Sequence, residues 1–274
     1  MQLRILVDNY TFIDQYYLGE PGLSFYIDEA GKRYLFDTGY SAILLKNAAL
    51  MGLDLTQLQA VILSHGHNDH SGGLRYLSAL YGDKMSRPQL LAHPQAFWPR
   101  RENGLDIGLP AATAVLQKSF QLTMSVDPLW LSSRLVYLGE IGRHNDFEGQ
   151  AAIGEIQNEA GAWQPDFVKD DSALVYCSER GLVILTGCSH AGICNIVETA
   201  KQVCGEVRIA AIIGGFHLLQ AGKRRLQATI EYLRRQSPGA VYVCHCTDLA
   251  AKLELSKHLP VYEGGVGLSL SWDD

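Results

Sequence analysis

Ser64-His65-Gly66-His67-Asn68-Asp69-His70-Ser71-Gly72-Gly73, positions 64–73, sets three imidazoles and one carboxylate within six residues. The stretch leaves AVILS at 60–64, a wholly apolar run of the kind that forms a strand buried on both faces. A strand end fixes the backbone, while Gly66, Gly72 and Gly73 allow the tight path that turns several side chains toward one centre. Neutral imidazoles together with a carboxylate select a borderline divalent ion such as zinc, manganese or iron. His65 and His67, two apart in an extended turn, share a face and suit one ion. Asp69 and His70 face a neighbouring position, so the spacing points to two adjacent ions. The chain has nine histidines in 274 residues, and three in this window are too many for an ordinary polar loop.

On the N-terminal side, LRILV at 3–7, SFYID at 24–28 and RYLFDTG at 33–39 read as strands, the last two joined by the turn EAGK as a hairpin. SAILLKNAALM at 41–51 has helical spacing behind a serine cap and stops at Gly52. On the C-terminal side, GGLRYLSAL at 72–80 reads as a helix and QLLAH at 89–93 as a strand. Residues 94–170 are less regular, with a helix over AATAVLQKSF at 111–120 and a strand at RLVYLG, 134–139. Then SALVYC and GLVILTG flank a turn, and GICNIVETAKQV, VRIAAIIGG, KRRLQATIEYLRR, AVYVC and DLAAKLELSKH alternate helix with strand. That succession is α/β, with helices covering sheet faces.

Further histidines fall at predicted strand ends. His190 in GCSHAG follows LVILT, and His245 follows AVYVC, so both are candidate ligands. His217 closes the run RIAAIIGGF and opens onto the same edge, where an imidazole polarises an oxygen or protonates a leaving group. Asp69 and His217 are the candidate catalytic residues. His93 and His258 read as structural. Trp98, Arg143 and His144 in the irregular stretch are candidates for stacking on a substrate ring and neutralising a phosphate.

H-G-H-N-D-H resembles the H-x-H-x-D-H signature of the metallo-β-lactamase superfamily, with FDTG at 36–39 and His245 in VCHCTD as further landmarks in the same order. GLSFYID, DDSALVY, LTGCSHAGICNIV, GGFHL and HCT together resemble the dihydropteroate-synthase-like, or 7,8-dihydropterin-6-methyl-4-(β-D-ribofuranosyl)-aminobenzene-5'-phosphate synthase, subgroup. The resemblance implies a four-layer αββα sandwich of two similar halves. Residues 1–274 then form a single domain, with an insertion at about 94–170 covering the active site. It implies metal ligation by His65, His67, Asp69, His70, His190 and His245, and an acid at Asp37 that lies behind the ligands and orients a ligand histidine. Cys188 stands where many members carry a bridging aspartate; it either binds as a thiolate or only lies nearby, and Asp170 and Asp171 are the alternative carboxylates.

Composition narrows the chemistry. A net charge of −6 and a pI near 5.8 give no electrostatic footprint for nucleic acid. MQLRILVDNY turns polar at Asp8 and Asn9, too early for a signal-peptide core or a membrane span, so a cytoplasmic protein is expected. The six cysteines lie in the C-terminal half without a disulfide or four-cysteine zinc spacing, and reduced thiols are expected. No nucleophile elbow or P-loop occurs. The expected activity is hydrolysis of a small-molecule phosphoester, lactone or related ester by metal-activated water, with one or two zinc, manganese or iron ions per chain. The alternatives are condensation of a pterin diphosphate with an aryl ribotide, implied by the subgroup, and iron-dependent redox chemistry.

Overall fold

β-branched and aromatic runs between turn residues become strands, beginning with Gln2–Val7 (β1) and the hairpin Ser24–Glu29 (β2) and Lys32–Phe36 (β3). Helix Ile43–Leu50 (α1), strand Ala60–Ile62 (β4), the one-turn helix Asn68–Ser71 (α2), helix Leu74–Tyr81 (α3) and strand Gln89–Ala92 (β5) follow. Next come strands Arg100–Glu102 (β6) and Leu105–Asp106 (β7), helix Thr113–Ser119 (α4), and strands Gln121–Met124 (β8), Leu129–Trp130 (β9) and Leu135–Tyr137 (β10). Strands Glu155–Gln157 (β11), Trp163–Pro165 (β12), Ala173–Ser178 (β13) and Gly181–Thr186 (β14) precede helix Ile193–Cys204 (α5). The chain ends in strand Ile209–Gly214 (β15), helix Lys223–Gln236 (α6), strand Val241–Val243 (β16), helix Leu249–Ser256 (α7) and strands Val261–Glu263 (β17) and Ser269–Ser271 (β18). The computed structural model describes residues 1–81 and 87–272, in two units.

The first unit comprises, among the described residues, 1–81, 87–126, 152–166 and 265–272. Its seven-stranded sheet runs β18-β1-β2-β3-β4-β5-β8, antiparallel through the hairpin and parallel from β3 to β8. Leu35, Val61 and Leu90 on one face pack with Leu44 and Ala48 of α1, Leu74 and Leu77 of α3 and Leu116 of α4. Each buried leucine contributes roughly 2 kcal/mol of transfer free energy. A four-stranded sheet, β12-β11-β6-β7, completes the unit.

The second unit, residues 127–151 and 167–264, repeats the plan. Its sheet runs β17-β16-β15-β14-β13-β10-β9, with the hairpin β13-β14 followed by parallel β15, β16 and β17. Ile184, Ile212 and Val241 meet Ile193, Ile196, Val197 and Ala200 of α5 and Ile230 and Leu233 of α6 in one core. Residues 94–170 divide between the units: β6, β7, α4, β8, β11 and β12 belong to the first, β9 and β10 to the second. In parallel sheets functional loops leave the carboxyl ends of strands. Here β3 and β4 release Asp37 and His65, while β14, β15 and β16 release Cys188, His217 and His245.

Candidate metal centre

In the first unit the histidine loop is organised by a buried acid. Asp37, fully buried after β3, accepts from the Ser64 backbone N–H (2.7 Å) on Oδ1 and from the Ser64 hydroxyl (2.7 Å) on Oδ2. The same Oδ2 lies 2.7 Å from His70 Nδ1. A carboxylate accepts only, so His70 carries its proton on Nδ1 and presents a bare Nε2. The Ser64 proton is spent on Asp37, leaving its oxygen to accept from His65 Nδ1 at 2.9 Å. His65 thereby also presents a bare Nε2, which lies 3.0 Å from His67 Nδ1. The His65 and His70 rings are 4.3 Å apart between centroids. Asp69, 30% exposed, sits with Oδ2 3.8 Å from His70 Nε2.

The glycines of the loop are required by close approach. A Cβ on Gly66 would strike the Ala96 carbonyl and the Arg100 guanidinium, and one on Gly73 would strike the Thr38 carbonyl. Thr38 donates from its amide (2.7 Å) and its hydroxyl (2.9 Å) to the His70 carbonyl, tying α2 to the end of β3.

In the second unit Cys188, His190 and His217 each offer a ligand atom, all within 4.8 Å of one another. The His190 and His217 rings are 4.4 Å apart, and His217 Nδ1 is buried with no hydrogen-bond partner among the described residues. Such an atom costs free energy unless a ligand satisfies it, so the cluster fits a metal or substrate donor. Ser189, His217 and His245 adopt left-handed backbone (φ 57°, 50° and 51°), as does Asp37 (φ 60°). Non-glycine residues held there cost roughly 1–3 kcal/mol each, strain that concentrates at functional sites. Asp171 accepts from the Ala191 amide (2.7 Å); burial raises its carboxyl to about 7, against that hydrogen bond.

Two residues matter here that the sequence reading passed over. Cys246 stands beside His245; its sulfur accepts the His217 amide (3.3 Å) and donates to the Cys188 carbonyl (3.4 Å). Burial opposes its ionisation, yet hydrogen bonds with Cys188 and His217 and the charges of His245 and His217 hold the thiol well below its ordinary range. Gly215 makes room for that sulfur, which would lie 2.5 Å from an added Cβ. Ser64, immediately before the histidines, joins Asp37 to His65. The C-x-C around His245 and the serine at the strand end were the available signals.

Of the candidate substrate residues, Trp98 is half-buried in the first unit, closing the turn Pro94–Phe97. Arg143, in the second, donates to the carbonyls of Ile141 (3.1 Å), Phe167 (3.1 Å) and Val168 (3.4 Å), a backbone brace. The His144 amide donates to Asn195 Oδ1 (2.8 Å). Asp170 is fully buried. Among the described residues no helix is long and apolar enough to cross a membrane.

Comparisons with known proteins agree with this geometry. The metallo-beta-lactamase superfamily profile matches residues 18–245, which span every candidate ligand. The chain is 30% identical over 265 residues to the 7,8-dihydropterin-6-methyl-4-(beta-D-ribofuranosyl)-aminobenzene-5'-phosphate synthase of Methanocaldococcus jannaschii, covering 92% of this chain and 89% of that protein. The crystal structure of Tm1679, described as a metal-dependent hydrolase of the beta-lactamase superfamily, superposes with a TM-score of 0.84 at 27% identity over the full length of both chains. The chain therefore belongs to the metallo-β-lactamase superfamily, with its fold, and to the subgroup that includes the Methanocaldococcus jannaschii synthase.

Proposed function

We propose that the chain is a metal-dependent hydrolase of a small-molecule phosphoester, lactone or related ester. In this reading His65, His67, Asp69, His70, His190, His245 and Cys188 hold one or two divalent ions, zinc foremost, with manganese or iron as alternatives. The observation that carries it is the Asp37–Ser64 relay, which fixes two neighbouring imidazoles in the tautomer that ligates. A bound divalent ion supplies Lewis acidity and makes water a competent nucleophile near neutral pH. The protein's own part is to aim nitrogen lone pairs, to hold the Asp69 carboxyl beside the reacting centre and to bring His217 to the leaving group. Incubating the protein with bis-p-nitrophenyl phosphate and an aryl lactone, before and after EDTA treatment and zinc or manganese repletion, tests it. Turnover that EDTA abolishes and metal restores is expected; turnover indifferent to EDTA contradicts the reading.

A second reading is favoured by the 30% identity to a protein named a synthase. Condensation of a pterin diphosphate with an aryl ribotide would use the same centre to stabilise departing pyrophosphate. Product analysis with those two substrates separates joining from hydrolysis.

A further inference from the structure

Cys188, Cys194 and Cys244 are buried, while Cys177, Cys204 and Cys246 are partly exposed. Cys246 lies in the candidate metal centre, against Cys188 and His217. Cys177 and Cys204 are therefore the partly exposed thiols outside that centre.

The topology of the second unit brings these two together. β13 and β14 are antiparallel, and α5 carries the chain from β14 back to the start of the parallel strand β15. A crossover helix runs against the strand it leaves, so α5, which packs on both β13 and β14, runs in the direction of β13. Both finish at one end of the unit, β13 at Ser178 and α5 at Cys204, opposite the end where β14 releases Cys188. Side chains alternate along a strand, and Ala173, Val175 and Cys177 form the row of β13 that meets the core under α5. Val197, Ala200 and Cys204, spaced as one helix face, form the stripe of α5 that packs on the same core.

The two rows end thiol against thiol, with the Cys204 S–H donating to the Cys177 sulfur. That hydrogen bond, with the Arg134 guanidinium, outweighs burial and the Glu206 carboxylate and holds the Cys177 thiol below its ordinary range. The same bond, with burial, pushes the Cys204 thiol up. An easily ionised thiol beside a protonated one is the arrangement of an attacking and a resolving cysteine. Cys194, earlier on α5, differs: burial pushes its thiol up and nothing opens it to an oxidant.

We propose that Cys177 and Cys204 form a reversible thiol-oxidation site, separate from the metal chemistry, which hydrogen peroxide closes into an intramolecular disulfide. The Cys177 thiolate attacks one peroxide oxygen, the O–O bond breaks, and the departing hydroxide takes a proton and leaves as water. Cys177 is then a sulfenic acid. The Cys204 sulfur gives up its proton and attacks the Cys177 sulfur; the S–S bond forms, the S–O bond breaks and the hydroxyl leaves with a proton as a second water. The two thiols lose two electrons and one peroxide gains them. A dithiol reductant reverses the bond by exchange, becoming a disulfide itself. The closed ring spans residues 177–204 and contains Cys188 and His190, so oxidation ties the far end of α5 to β13 without consuming a metal donor.

Peptide mapping of the metal-loaded full chain tests this. The reduced protein, freed of reductant, is treated with about one equivalent of hydrogen peroxide, blocked with N-ethylmaleimide and digested with trypsin without reduction. Cleavage after Lys169, Arg180, Lys201 and Arg208 leaves Cys177 and Cys204 each as the single cysteine of its peptide, 170–180 and 202–208. The expected product, from monomeric protein, is these two peptides joined, about 2 Da lighter than their sum and parted by dithiothreitol. In Cys204→Ser the bond cannot form, and dimedone should label Cys177 about 10-fold more than it labels Cys204 in Cys177→Ser. Both thiols recovered with maleimide from peroxide-treated wild type would overturn the proposal. So would a disulfide joining Cys188 to Cys246 instead, or a linkage of the two peptides found only in a disulfide-bonded dimer. Equal dimedone labelling in the two variants would overturn the part given to Cys177 as the attacking thiol.

Discussion

Half-buried His217 and fully buried Asp37 take different work. His217 ends β15 with Nδ1 unsatisfied, whereas Asp37 spends both oxygens on Ser64 and His70. His217→Ala should therefore retain its metal and lower turnover by about 100-fold, the scale of losing a general acid or transition-state donor. Unchanged turnover would remove His217 from the chemistry, and lost metal would make it a ligand. Asp37→Ala frees the tautomers of His70 and His65 and should weaken divalent-ion affinity by roughly 10- to 100-fold, read by competition with a chromogenic chelator. Equal affinity would show that the relay does not set the ligands. His65, His67 and His70 were legible in the sequence because six consecutive residues carry their chemistry, and Asp37 because it stands in the FDTG landmark. The Cys246 sulfur and the His217 amide were not, since the residues that meet there lie 29 apart in the chain.

At the scale of elements, the strands and helices followed from apolar runs, but their ends did not. Ser41 was read as the cap of α1; the helix begins one residue later, and the Ser41 hydroxyl accepts from the Ile43 amide (3.2 Å) while donating to Glu20 (2.5 Å). The edge strand β18 pairs with β1 across the whole length of the chain, a pairing no local pattern encodes. Helix α5 has an equally non-local support. Glu148, 1% exposed, accepts from the amides of Cys194 (3.1 Å) and Asn195 (3.3 Å), filling the helix N-terminus with a carboxylate. Glu148→Ala leaves those donors buried and should cost about 2 kcal/mol. The thermal midpoint should fall by roughly 4–8 °C. Exposed Glu231→Ala on α6 should change little, and equal shifts in the two variants would contradict the role assigned to Glu148.

The whole molecule is a duplicated design in which hairpin and parallel strands recur in both units, each delivering donors from strand ends. That the two halves are alike was implied by the superfamily resemblance rather than by any letter pattern, because the repeat lies in topology and not in residue identity. A carboxylate can span two ions through its two oxygens, whereas a cysteine at position 188 binds one as a thiolate or, if protonated, binds neither. Purified protein should then carry unequal occupancies, and Cys188→Asp should load more fully; anomalous diffraction at the metal edge would read both. Two equally filled ions, unchanged in the variant, would move the bridge to another residue such as Asp170 or Asp171. The most direct measurement is simpler still: metal per chain by elemental analysis for wild type and His67→Ala, each with its circular dichroism spectrum. The expected result is one or two divalent ions in the wild type and their loss in a variant that keeps the wild-type spectrum. Wild-type loading in folded His67→Ala would contradict a metal centre built on the histidine loop.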